Sequence, residues 1–80
     1  MNGYDWIEMR PEVMMGKPTI KGTRIPVELI IRKLGEGASV DDLLNGYPNL
    51  TREAVQNAIL YAADTIGNEK VLYLKTGTSG

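Results

Sequence analysis

Four chain breakers within a single short stretch, Gly16, Pro18, Gly22 and Pro26, decide what the first third of this chain can become. Proline removes a backbone donor and fixes φ, and glycine costs a helix interior about 1 kcal/mol, so no helix spans that stretch. Two short extended pieces, Thr19-Ile20 and Thr23-Arg24-Ile25, turning around Lys21-Gly22, fit it best. Upstream, Trp6-Ile7-Glu8-Met9 favours a strand that ends at Arg10-Pro11, because the residue before a proline is held extended. Residues 1–26 therefore read as an N-terminal β arm, lying against the rest of the chain or against a second copy.

From Pro26 the period becomes helical. Pro26 suits a first helical position, Val27, Ile30, Ile31 and Leu34 share one face, and Gly35 and Gly37 stop the helix. Ser39 is an N-cap for a second helix, with Asp41 and Asp42 in its first turn, where the helix dipole favours negative charge. Val40, Leu43, Leu44 and Tyr47 form its apolar face, and Gly46 and Pro48 end it. After the turn Tyr47-Pro48-Asn49-Leu50, Thr51 caps a third and longest helix, with Leu50 and Val55 placed as a hydrophobic staple. That helix is expected to close at about Ile66, before Gly67-Asn68. Its predicted core side is Val55, Ala58, Ile59, Ala62 and Ile66; Glu53, Gln56, Asn57, Leu60 and Asp64 fall opposite, which leaves Leu60 as an apolar residue on a polar face. The division expected is an arm over 1–26, a three-helix core over 27–67, and a C-terminal strand (Val71-Leu72-Tyr73-Leu74) with its tail over 68–80.

Composition narrows the function classes. The absence of Cys excludes a disulfide framework and Cys-based zinc sites, and the absence of His removes the commonest general base and nitrogen metal ligand. Adjacent Asp41 and Asp42 diverge by about 100° on a helix and make no carboxylate dyad. No catalytic residue, metal or cofactor is expected, and the chain reads as a binding protein rather than an enzyme. No apolar run reaches the roughly 18 residues of a membrane span, and the N-terminus lacks a signal-peptide build, so a cytoplasmic location is expected.

Charge is balanced overall at −1 but unevenly spread: residues 10–33 sum to +4 and residues 34–80 to −3. A basic arm suits an anionic partner. The second and third helices, joined by a tight turn, have the form of a helix-turn-helix, in which the first turn of the last helix meets base edges. There it offers Thr51, Arg52, Gln56 and Asn57, types able to contact phosphates, guanine or adenine. The third helix carries net negative charge, so phosphate contacts would fall to Lys17, Lys21 and Arg24 of the arm. Leu60 and the run Val71, Leu72, Tyr73 and Leu74 instead point to a protein-interaction or dimerisation module.

Several pieces in fixed order resemble one known family: Pro11-Glu12-Val13; Gly16-Lys17-Pro18-Thr19-Ile20-Lys21-Gly22-Thr23-Arg24-Ile25-Pro26-Val27; Ala38-Ser39; Tyr47-Pro48-Asn49-Leu50-Thr51; and Ala58-Ile59-Leu60-Tyr61-Ala62-Ala63. Together they resemble the domain-of-unknown-function family 433. The resemblance implies a mainly α fold, a three-helix homeodomain-like, winged-helix-related bundle. It also implies an antitoxin of a type II toxin–antitoxin pair, VapB-like, that binds a PIN-like ribonuclease toxin and represses its own operon by binding operator DNA. A homodimer is expected, with a protein-interaction module lacking DNA binding as the alternative. In the family segment Gly16 and Gly22 would be turn positions with positive φ. Arg24, held between fixed points, would either pair with a carboxylate such as Asp42 or Glu28 or reach a phosphate.

Overall fold

The computed structural model describes residues 4–70. In chain order they form strand β1 (Ile7–Glu8), strand β2 (Thr19–Ile20) and helices α1 (Val27–Gly35), α2 (Val40–Gly46) and α3 (Arg52–Lys70). The two strands pair antiparallel, Ile7 opposite Ile20 and Glu8 opposite Thr19. The result is a mainly helical small bundle with a two-stranded N-terminal sheet.

Each helix boundary has a local cause. α1 starts one residue later than proline preference suggests, with Pro26 as its cap, and ends in a Schellman motif: Gly37 N–H donates to Leu34 O and Ala38 N–H to Lys33 O, with Gly37 at φ +108°. α2 opens on a full capping box, Ser39 Oγ accepting from Asp42 N–H while Asp42 accepts from Ser39 N–H. Thr51 Oγ1 accepts from Ala54 N–H and so caps α3. Contrary to the expected stop at Ile66, α3 runs through Gly67 and Asn68 to Lys70. Gly67 is not among the positive-φ glycines, so it spans the helix instead of turning out of it.

The arm lies on its own chain. Ile20 is buried with Val27, Ile30, Leu43, Leu50, Ala54, Val55 and Ala58 in one cluster that all three helices and β2 share. Buried Thr19 satisfies its hydroxyl by donating to Glu8 O. The extended pieces around Lys21-Gly22 form the expected turn: Thr23 N–H donates to Ile20 O, Ile20 N–H to Ile25 O, and Gly22 sits at φ +77°. Ahead of β2 the chain makes a left-handed turn, Met14 at φ +51°, Met15 at +56° and Gly16 at +82°. Only the glycine adopts that region freely.

The core face of α3 is rotated from the sequence expectation. Ala54, Val55 and Ala58 are buried, whereas Ile59 and Ile66, predicted for the core, are 40 % and 71 % exposed. Ala54 and Ala58 lie in the core that α3 shares with α1, where small side chains admit close helix contact, and the arm occupies the flank that the sequence pattern left polar. Tyr4 packs edge-on against Tyr61 with ring centroids 5.3 Å apart and donates its hydroxyl proton to Asp64, while Trp6 N–H donates to Asn57 Oδ1. The bond to Asp64 raises the Tyr4 phenol above its ordinary value. The run Val71–Leu74 lies outside the described residues.

Candidate nucleic-acid interface

The proposed reading end is the N-terminal turn of α3. Thr51 lends its oxygen to the cap, and Arg52 reaches back to α2, Nη2 lying 2.6 Å from Asp41 Oδ1. Both partners of that ion pair are exposed, so its worth to stability is small. Its effect is positional: it ties the starts of α2 and α3 together and holds the guanidinium. Gln56 is exposed one turn on, on the same face as Arg52. Asn57 sits round the helix from them, and its Oδ1 accepts from Trp6 N–H, just ahead of β1. The structure thus keeps Thr51, Arg52 and Gln56 together and assigns Asn57 a bond that docks the arm.

The three basic arm residues separate into two places. Lys17 lines a groove with Ala62 and Thr65, which lie about 15–20 Å along the axis of α3 from Arg52. There its Nζ is 2.9 Å from Glu28 Oε2, and this lysine holds the Glu28 carboxyl below its usual range. Lys21 is at the other side: its N–H donates to Trp6 O at 2.7 Å, and Trp6 in turn bonds Asn57. Lys21 and Arg24 are exposed and carry no ion pair among the described residues. The two carboxylates considered for Arg24 are otherwise engaged, Glu28 with Lys17 and Asp42 with the Ser39 cap. Their turn is stiff, because Thr23 Oγ1 donates to Ile20 O and accepts from Ile25 N–H, and Gly22 N–H donates to Glu8 Oε2.

Along its exposed side α3 changes character. Arg52 and Gln56 give way to Ile59, Leu60, Ala63 and Ile66, all exposed, so Leu60 is part of an apolar strip about 120° wide. The sequence pattern missed this strip because it placed Ile59 and Ile66 in the core. It also missed the Asp41–Arg52 pair, a contact between two helices, and the bond of Asp64 to Tyr4 sixty residues upstream, since neither leaves a periodic trace. Among the described residues no helix is long and apolar enough to cross a membrane, and no cluster of His, Cys, Asp or Glu is placed to hold a metal ion.

Residues 7–62, comprising both strands, the hairpin turn and the helices up to the middle of α3, match the family described as "Protein of unknown function (DUF433)". The chain belongs to the DUF433 family. A crystal structure of a DUF433 member protein from Anabaena variabilis superposes with a TM-score of 0.71 at 36 % identity, over 74 % of this chain and 58 % of that one. "Uncharacterized protein y4eO" of Sinorhizobium fredii is 35 % identical over 52 residues, which are 65 % of this chain and 24 % of that protein. This DUF433 chain therefore spans less than two thirds of the length of either relative. The DUF433 match takes in the hairpin turn and the start of α3, the two pieces on which the candidate interface stands.

Proposed function

We propose that this chain is a DNA-binding, antitoxin-like regulator, a binding protein rather than an enzyme, working in the cytoplasm. The observation that carries this reading is the stiff cationic turn holding Lys21 and Arg24, linked through Trp6 to the half of α3 that presents Arg52 and Gln56. Acidic groups surround that helix end: Asp41 holds Arg52, and Asp42 and Glu53 are close in sequence to the pair. Phosphate contacts therefore fall to the turn, while Gln56 and Arg52 meet base edges. Lys17, paired with Glu28 in the groove with Ala62 and Thr65, takes no part.

Fluorescence anisotropy with DNA from upstream of the gene tests this. Lys21→Gln with Arg24→Gln is expected to lower affinity by about tenfold or more and to flatten the salt dependence by about two phosphate contacts. Lys17→Gln is expected to leave both unchanged. Absence of salt-sensitive retention in the parent protein refutes the reading.

A second reading, a protein-interaction module without DNA binding, is favoured by the exposed strip containing Leu60. A PIN-like ribonuclease encoded alongside is the partner the family resemblance implies. Co-purification of such a neighbour, lost in Leu60→Glu while DNA stays unbound, supports this second reading over the first.

A further inference from the structure

Trp6 is the single tryptophan of the chain, and it stays 38 % exposed. Its backbone is fixed on both sides: the N–H donates to Asn57 Oδ1 at 3.0 Å, and the carbonyl accepts from Lys21 N–H at 2.7 Å. The second bond carries the strand pairing one step past Ile7 and Ile20. It stands Lys21 beside the tryptophan, their Cα atoms about 5.5 Å apart.

The charges around this tryptophan favour an anion. Lys21 and Arg24 are exposed, carry no ion pair among the described residues, and flank a turn that Gly22 and Thr23 lock. The acid that reaches into the turn, Glu8, is already engaged. Its carboxylate accepts from Gly22 N–H at 3.0 Å and lies 3.5 Å from Arg10 Nε. Of the charges left, Lys21 and Arg24 outnumber Asp5, the exposed neighbour of Trp6.

An exposed indole beside unpaired cations suits a nucleotide whose base is free. The base stacks on the ring, and the adjoining phosphate meets the cation. Within a duplex each base is covered by its neighbours, so stacking of this kind selects a single strand. Backbone bonds hold Trp6 and Lys21 in place before any ligand arrives, which lowers the ordering cost of binding.

We propose that Trp6, Lys21 and Arg24 form a site for single-stranded nucleic acid, one base stacking on the indole and its flanking phosphates meeting the two cations. The site shares its cations with the duplex reading but does not rest on it. A chain that fails to retain duplex DNA still holds a single strand here, and the two failures are told apart by the ligand used.

Because Trp6 is the only tryptophan, its emission reports a stacked base directly. Oligothymidylate or oligouridylate of about twelve nucleotides, titrated into the full chain at low salt, is expected to quench that emission to saturation. The tighter binder of the two distinguishes DNA from RNA as the favoured strand. An abasic oligomer of equal length, with phosphates and no bases, is expected to leave the emission unchanged, and a blunt duplex to quench less. By anisotropy on labelled oligothymidylate, Trp6→Ala is expected to weaken binding about tenfold and Trp6→Phe to retain most of it. Lys21→Gln is expected to reduce the salt dependence by about one single-strand phosphate. Quenching by neither strand overturns the proposal. So does equal quenching by the abasic oligomer or the duplex, or a Trp6→Ala chain that binds as tightly as the parent. If Trp6→Ala fails to fold, the abasic comparison and Lys21→Gln decide.

Discussion

Ser39 and Asp42 exchange two hydrogen bonds, and this small ring decides where α2 begins. The Ser39 N–H, donated to the Asp42 carboxylate, is the main reason that this carboxyl titrates below its ordinary value. A carboxylate whose pKa falls on folding contributes stability that is complete above its unfolded value and is lost as pH drops through the folded one. Asp42→Asn keeps an acceptor but removes the titration, so stability should fall less steeply below about pH 4 than in the parent. Urea midpoints across the acid range measure this, and identical acid limbs would show that the ring contributes nothing pH-dependent. The box was legible because its members lie three residues apart and act locally. Met14 and Met15 show the opposite case. Nothing in two consecutive methionines announces left-handed backbone, which here lies between the buried Val13 and Gly16. Met15 is 92 % exposed, so its side chain gains no burial in return.

At the scale of elements, the helices were readable from apolar spacing and caps, and the face and length of α3 were not. Helical period says which residues lie together but not which side another element covers, and the arm that covers Asn57, Tyr61 and Asp64 comes from more than fifty residues upstream of Asn57 and Asp64. For the same reason the surroundings of the candidate interface were only partly legible: Gln56, Lys21 and Arg24 are exposed, while Arg52, Asn57 and Lys17 are engaged within the chain, with Asp41, Trp6 and Glu28. The unbroken path of α3 through Gly67 has a direct test. A Cβ at Gly67 would meet nothing within 4 Å, so Gly67→Ala should raise stability by about 0.8–1 kcal/mol through helix propensity alone. Thermal melts give the answer, and destabilisation would mean that the helix turns out at Gly67.

In the whole molecule, the arm and α3 are held together by bonds that include Tyr4 to Asp64 and Trp6 to Asn57. Trp6 N–H to Asn57 joins the residue just ahead of β1 to α3, and Lys21 N–H to Trp6 O carries that link on to the turn holding Lys21 and Arg24. Asn57→Ala should cost about 1 kcal/mol and speed exchange of the Lys21 amide, with the α1 amides little changed. Unaltered Lys21 exchange would show that the turn is held from elsewhere. The pairing of Tyr4 with Asp64 has a temporal meaning as well. Asp64 follows Tyr4 by sixty residues, so this contact can close only after the middle of α3 has been made. The two strands can pair as soon as β2 exists, whereas their anchoring on α3, and with it the bracing of the turn that holds Lys21 and Arg24, waits for residues fifty to sixty places further along.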